Sequence, residues 1–274
     1  MILYWQALIQ GIVQGITEFL PVSSTGHMIL VNETFLKMDK AFSEMFEVVI
    51  QLGSILSVLV HFRRRIFSRA LFTFDFRSPE WRLWFKVLPA VVPALIVGGI
   101  FGGVIQEHLY NPVTVATALL LGGIALIFIE SPKLAPKTPR CCDLENLSYA
   151  KAVGIGFVQC IAMIPGVSRS AATIVGGMGF GCSRALAAEF SFFLAIPTMA
   201  AASGYSLLKH GTSLDRVQWI ALGIGFATAF LVAWGVIAFF MSFIRKHDFR
   251  AFGYYRIALG IAVLAFFFCG GWKN

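Results

Sequence analysis

The sequence predicts an all-α fold: a polytopic integral membrane protein with about six transmembrane helices and two re-entrant helix-loop-helix hairpins, arranged as an inverted repeat. Three observations carry that reading. The 274 residues are 58% hydrophobic and only 13% charged, with a mean hydropathy of +0.78, far more apolar surface than one soluble core can bury. Several segments reach the roughly 20 apolar residues that cross a bilayer. Two further apolar stretches run instead into short polar loops, which are tolerated at membrane depth only where protein or a water-filled cavity surrounds them.

In chain order, the first stretch is Leu3 to Leu20, which ends in "PVSSTGH" (Pro21 to His27). Met1 to Leu3 show no basic n-region, and no small-residue cleavage site follows, so insertion is expected to rely on the spans themselves. Spans are expected over Phe42 to His61, Leu83 to Ile105 and Pro112 to Ile129. A second broken stretch, Tyr149 to Ile164, ends in "PGVSRS" (Pro165 to Ser170). Ala185 to Leu208, Val217 to Ile244 and Phe252 to Cys269 complete the spans. Shifting the first broken stretch by 145 positions brings Tyr4 onto Tyr149, Gly11 onto Gly156, Gln14 onto Gln159 and Ser23 onto Ser168. One membrane domain, residues 1–274, is therefore expected to hold two repeats. The first covers 1–130, a hairpin over 1–37 and three spans; the second covers 148–272, a hairpin over 149–182 and three spans.

Most of the net charge of +8 sits in three loops, those holding Arg63, Arg64, Arg65, Arg69 and Arg77, then Lys133, Lys137 and Arg140, then Arg245, Lys246 and Arg250. The positive-inside rule places these in the cytoplasm and accounts for the charge, so no nucleic-acid partner is expected. An odd number of crossings then separates the hairpins, and the first enters from outside. The five cysteines, Cys141, Cys142, Cys160, Cys182 and Cys269, have neither disulfide-framework nor zinc spacing and read as structural.

The loops mark the candidate site. Gln14 and Glu18 share one helical face at i, i+4, and a carboxylate within a membrane segment points to function by default. Ser23, Ser24 and Thr25 precede His27 closely enough for a hydroxyl and an imidazole to meet. In the second loop, Arg169 cannot lose its charge and needs an anion, while Ser168, Ser170 and Thr173 add hydroxyls at a helix N-terminus. This set suits a phosphate, with Glu18 and Gln14 offering oxygens to a divalent cation. The bland alternative is an ion pair between Arg169 and Glu18 that only locks the repeats together. Glu47, with Gln51 one turn on, is read either as support behind the site or as a structural hydrogen bond, which the sequence does not separate. The runs "GGIFGG", "LGGIAL" and "GGMGFG" read as close helix packing.

Four longer stretches, "QGITEFLPVSSTGH", "FEVVIQLGSI", "PGVSRSAATI" and "EFSFFLAIP", closely resemble the bacterial undecaprenyl-diphosphatase family, the bacitracin-resistance type of undecaprenyl pyrophosphate phosphatase. The resemblance spans essentially the whole chain. It implies hydrolysis of undecaprenyl diphosphate to undecaprenyl phosphate and phosphate, which recycles the lipid carrier of peptidoglycan synthesis, with bacitracin resistance as a consequence. It also implies dependence on a divalent cation, Mg2+ or Ca2+, in the bacterial cytoplasmic (inner) membrane, with a site opening on the periplasmic side. A homodimer is a further expectation. The family's acidic motif falls on Gln14 and Glu18, with Gln where the motif also allows Glu. Its serine and histidine loop falls on Ser23, Ser24 and His27, and its arginine loop on Ser168, Arg169, Ser170 and Thr173.

Two chemistries fit these residues. Ser24 attacks the terminal phosphorus while His27 takes its proton, or His27 activates water or itself attacks while Ser24 only hydrogen-bonds. In both, Arg169 and a metal held by Glu18 spread the developing charge. A transporter or flippase for a lipid phosphate or anion is the alternative from another class, because broken helices meeting at the midplane are shared with carriers. Such a protein needs the Arg169 cradle but not Ser24 and His27. The sequence holds no Walker pattern and no C-x5-R loop, which argues against ATP hydrolysis and cysteine phosphatase chemistry.

Overall fold

A computed structural model describes residues 2–67, 73–131, 134, 139–210 and 214–269. Arg69, Lys133 and Lys137 of the basic loops, residues 211–213 and the last residues of the second repeat, 270–272, lie outside the described residues. The described chain is all-α, with one isolated bridge between Cys141 and Cys182. Six of its helices are long and apolar enough to cross a membrane.

Helix α1 (Ile2–Thr17) leads through a turn over 18–23 into α2 (Ser24–Val31) and a π-helical turn (Asn32–Leu36). The three spans that follow are α3 (Lys40–His61), α4 (Pro79–Leu109) and α5 (Pro112–Ile129). The second half repeats this order. Helix α6 (Tyr149–Gln159) continues as a 3-10 turn (Cys160–Met163), a loop leads to α7 (Arg169–Gly179), and α8 (Arg184–His210), α9 (Arg216–Ile244) and α10 (Arg250–Phe268) complete the fold. The boundaries follow local chemistry. Side chains of Asp39, Ser78, Asn111, Ser148 and Asp215 accept from backbone N–H groups in the first turns of their helices, and proline opens α4 and α5 where its missing N–H is harmless. In a bilayer such caps matter more, because no water is present to satisfy the free groups.

The helices pack by exchange between the halves. Helix α1 lies on α9 and α6 on α4, α3 meets α9 and α8 meets α4, while α3 packs with α8 and α5 with α10. Small residues at matching positions permit the first of these exchanges. A Cβ on Gly11 would lie 2.7 Å from the carbonyl oxygen of Gly225 on α9, and one on Gly156 would strike the carbonyl of Ala90 on α4. Of the three glycine runs, "LGGIAL" and "GGMGFG" do pack closely, Gly123 on Gly253 and Gly177 on Ala187. "GGIFGG" does not, since Gly99, Gly102 and Gly103 meet nothing within 4 Å. The main apolar core includes Phe19, Phe192, Phe193 and Phe240, with Phe19 edge-on to Phe192 at 5.0 Å.

Candidate active site

Both loops end in the same unusual way. Ser23 and Ser168 cap α2 and α7, their hydroxyls accepting from Gly26 N and Ala171 N, and both hold positive φ, 72° and 71°. Such backbone is rare for a residue with a Cβ and is concentrated where geometry serves function. These are the two serines that the 145-residue shift superposes. The loops touch where Ser170 Oγ donates to the carbonyl of Leu20 at 2.9 Å.

Glu18 is the hub. It is 4% exposed, and its carboxylate collects three donors from three elements. Arg169 Nη2 donates to Oε1 at 3.0 Å, and Ser24 Oγ and Gln14 Nε2 donate to Oε2 at 2.7 and 2.9 Å. Arg169 is anchored from behind, Nη1 donating to the carbonyl of Ser191 on α8 at 2.7 Å. Ser191 Oγ in turn lies 2.7 Å from Thr173 Oγ1, and Ser168 and Ser170 hydroxyls are 3.0 Å apart. The structure therefore brings the sequence-named candidates Gln14, Glu18, Ser24, Arg169, Ser168, Ser170 and Thr173 into one connected group.

Two buried atoms in this group have no partner among the described residues, Arg169 Nε and Gln14 Oε1. Buried polar groups are nearly always satisfied, and those left open in a native fold call for an explanation. One is a donor on the guanidinium bonded to Oε1 of Glu18, and the other is an acceptor on the amide bonded to Oε2. An anion fits the first, and a hard cation or a donor fits the second. No group of three His, Cys, Asp or Glu side chains gathers among the described residues, so a cation here would rely on Glu18, the amide oxygen of Gln14 and its other ligands from elsewhere.

His27 makes no hydrogen bond to Ser24. Its Nδ1 lies 2.7 Å from the carbonyl of Ser23, which can only accept, so Nδ1 carries the proton. Nε2 is then the acceptor, 2.7 Å from the hydroxyl of Tyr255 on α10, whose ring stacks parallel to the imidazole at 5.6 Å. Thr25, on the first turn of α2, is half-buried and makes no hydrogen bond to the group. Glu47 accepts from Ser43 on its own helix at 3.0 Å, and Gln51 has no hydrogen bond to the site; the α3 residue that reaches it is Ser54, 3.5 Å from Gln14 Nε2. Glu189 pairs with Arg65 at the loop after α3.

Sequence reasoning missed Ser54, Ser191, Tyr255 and Arg256. The two serines lie inside stretches quoted for their resemblance, but a serine in an apolar helix carries no signal of its own. Arg256 did carry one, a charge well inside an apolar span.

The family model for bacitracin resistance protein BacA matches residues 7–262. Undecaprenyl-diphosphatase 1 of Clostridioides difficile (strain 630) is 50% identical over 272 residues, 96% of each chain. The undecaprenyl-diphosphatases of Enterococcus faecalis and Caldanaerobacter subterraneus subsp. tengcongensis are 49% and 45% identical, over 93% and 94% of each chain. With a matched stretch that takes in both loops and nearly every helix, the chain belongs to the family of the bacitracin resistance protein BacA.

Proposed function

We propose that this membrane protein is a phosphatase that hydrolyses undecaprenyl diphosphate to undecaprenyl phosphate and phosphate, the activity that its relatives' names state. The observation that carries the reading is the pairing of an unpartnered donor, Arg169 Nε, with an unpartnered acceptor, Gln14 Oε1, on either side of a carboxylate that already holds a serine hydroxyl. A carrier needs an anion cradle. It has no use for a hydroxyl presented to a carboxylate at 2.7 Å or for an imidazole with a fixed tautomer.

In the proposed reaction the diphosphate lies between the loops with its terminal phosphoryl group against Arg169. Ser24 Oγ attacks the terminal phosphorus and its proton passes to Glu18, the group it already donates to. The bond from phosphorus to the bridging oxygen breaks, and undecaprenyl phosphate leaves. Water then attacks the phosphoserine, giving its proton to His27 Nε2, Ser24 recovers its proton from Glu18 as phosphate departs, and His27 returns to its neutral form by passing the water's proton to the departing phosphate. Arg169 and the open N–H groups at the start of α7 spread charge on the equatorial oxygens. Glu18 and Gln14 Oε1 are the residues that would hold a Mg2+ or Ca2+ ion, which would neutralise diphosphate charge when bound. Because His27 makes no hydrogen bond to Ser24 and its Nε2 is an acceptor, one variant of this scheme has His27 activate water for direct attack while Ser24 only binds.

The broken helices are read as re-entrant hairpins of an inverted repeat, entering from opposite sides of the cytoplasmic membrane, with the site opening outward. The exchange packing of the two halves supports this.

The test is phosphate release from undecaprenyl diphosphate by the purified protein, with and without divalent cation. Ser24→Ala, His27→Ala and Arg169→Ala should each remain folded and lose at least about 100-fold in rate. A wild type that binds the lipid and releases no phosphate under any metal would put the transporter reading first. Retention of a phosphoserine on quenching identifies Ser24 as the nucleophile, and its absence together with residual turnover in Ser24→Ala identifies direct attack by water.

A further inference from the structure

Arg256 lies in the apolar part of α10 at 0% exposure, and among the described residues no carboxylate pairs with it. A guanidinium removed from water without a counter-ion is costly, and in membrane segments such a residue is rare unless it serves a purpose. Its partners show the purpose. Nη2 donates to the carbonyls of Ala118 at 3.0 Å and Gly166 at 2.9 Å, Nη1 to that of Pro21 at 3.2 Å, and Nε approaches that of Leu119 at 3.4 Å. Two acceptors belong to α5, one to the first loop and one to the second.

The loop partners are matched. Pro21 and Gly166 stand in register under the shift of 145 positions, each two residues ahead of a strained cap, Ser23 or Ser168. One planar fork thus holds the same point of both loops and fixes them to a common helix. The surroundings leave room for it. Gly166 has φ +93°, a conformation open to glycine, and a Cβ there would also lie 2.5 Å from the carbonyl of Val115. A Cβ on Gly122 would collide with Arg256 Nη2 itself.

We infer that Arg256 is a positioning residue: it sets the two loops against each other and so fixes the distances between Glu18 and Ser24 on one side and Arg169 on the other. It touches no substrate. The inference rests on the phosphatase reading, since what it positions is the proposed catalytic group. A lysine in its place keeps the charge but cannot reach four carbonyls from one plane.

The experiment uses the purified full chain in nanodiscs, with undecaprenyl diphosphate as substrate, and compares wild type with Arg256→Lys and Gly122→Ala. Gly122→Ala leaves the arginine in place but displaces its fork. Thermal unfolding measures the folded fraction, and kcat, KM and inhibition by orthovanadate are taken on that fraction. Both variants should fold, with kcat lowered about 100-fold, the scale of a roughly 1 Å misplacement of reacting groups. KM should stay within about threefold, and the affinity for orthovanadate, which mimics the transition state, should fall in step with kcat. A folded Gly122→Ala or Arg256→Lys protein with wild-type kcat overturns the inference, as does a loss confined to KM. Failure of both variants to fold also overturns it and leaves Arg256 a purely structural clamp. If the wild type releases no phosphate, it is the phosphatase reading that fails, and this inference falls with it.

Discussion

At the scale of single residues, the site works because one carboxylate is asked to do several things at once. Glu18 has four lone-pair directions and receives donors from Arg169, Ser24 and Gln14, so the carboxylate of the ion pair that joins the two loops also holds the hydroxyl proposed to attack. The sequence left structural lock and catalytic group as alternatives; the ion pair with Arg169 is formed, and in the proposed reaction the same carboxylate also serves Ser24. His27 is held differently, by a backbone carbonyl on one nitrogen and the Tyr255 hydroxyl on the other. That arrangement sets the tautomer through Ser23, not through Tyr255. Tyr255→Phe, which removes a single neutral hydrogen bond of about 0.5–1.5 kcal/mol, should therefore lower kcat/KM by no more than about tenfold. His27→Ala should cost about 100-fold or more. Purified variants assayed side by side decide it, and a Tyr255→Phe protein as impaired as His27→Ala would show that the phenol itself takes part in proton transfer.

At the scale of elements, two short glycine contacts hold the broken helices in place. Gly11 lets α1 approach α9 and Gly156 lets α6 approach α4, each against backbone that cannot yield cheaply. Gly11→Ala and Gly156→Ala should each destabilise the fold by about 1–3 kcal/mol through overpacking. Unfolding in mixed micelles checks this, and Gly102→Ala, where a Cβ meets nothing within 4 Å, serves as the neutral control. The elements themselves were legible in the sequence, because length and hydropathy locate a span to within a few residues and a proline or a capping serine marks its end. Expected spans such as Pro112 to Ile129 and Val217 to Ile244 agree closely with helices α5 and α9. The loop residues of the site were legible for a related reason: Glu18 and Arg169 are too costly to bury without a use. What was not legible is what only the assembled fold creates. Ser54 and Ser191 look like any helix serine until α3 and α8 converge on the loops, and Tyr255 acquires its role only because α10 crosses beside α2.

At the scale of the whole molecule, the reading depends on which way the chain faces, and the exposed cysteines give a way to decide it. In the proposed orientation the basic connection between the halves, with Cys142, is cytoplasmic, and the end of α10, with Cys269, is outside. Both residues are exposed, whereas Cys141 and Cys182 are buried. The five native cysteines reduce to two informative variants, one keeping Cys142 alone and one keeping Cys269 alone. A membrane-impermeant maleimide applied to intact cells should label the Cys269 protein and spare the Cys142 protein until the membrane is opened. That pattern places the first hairpin on the outer side, where its serine and histidine meet a diphosphate arriving from that face. The reverse pattern would invert the whole chain and put the same catalytic group on the cytoplasmic side, because the loops, the clamp and the spans move together as one packed body.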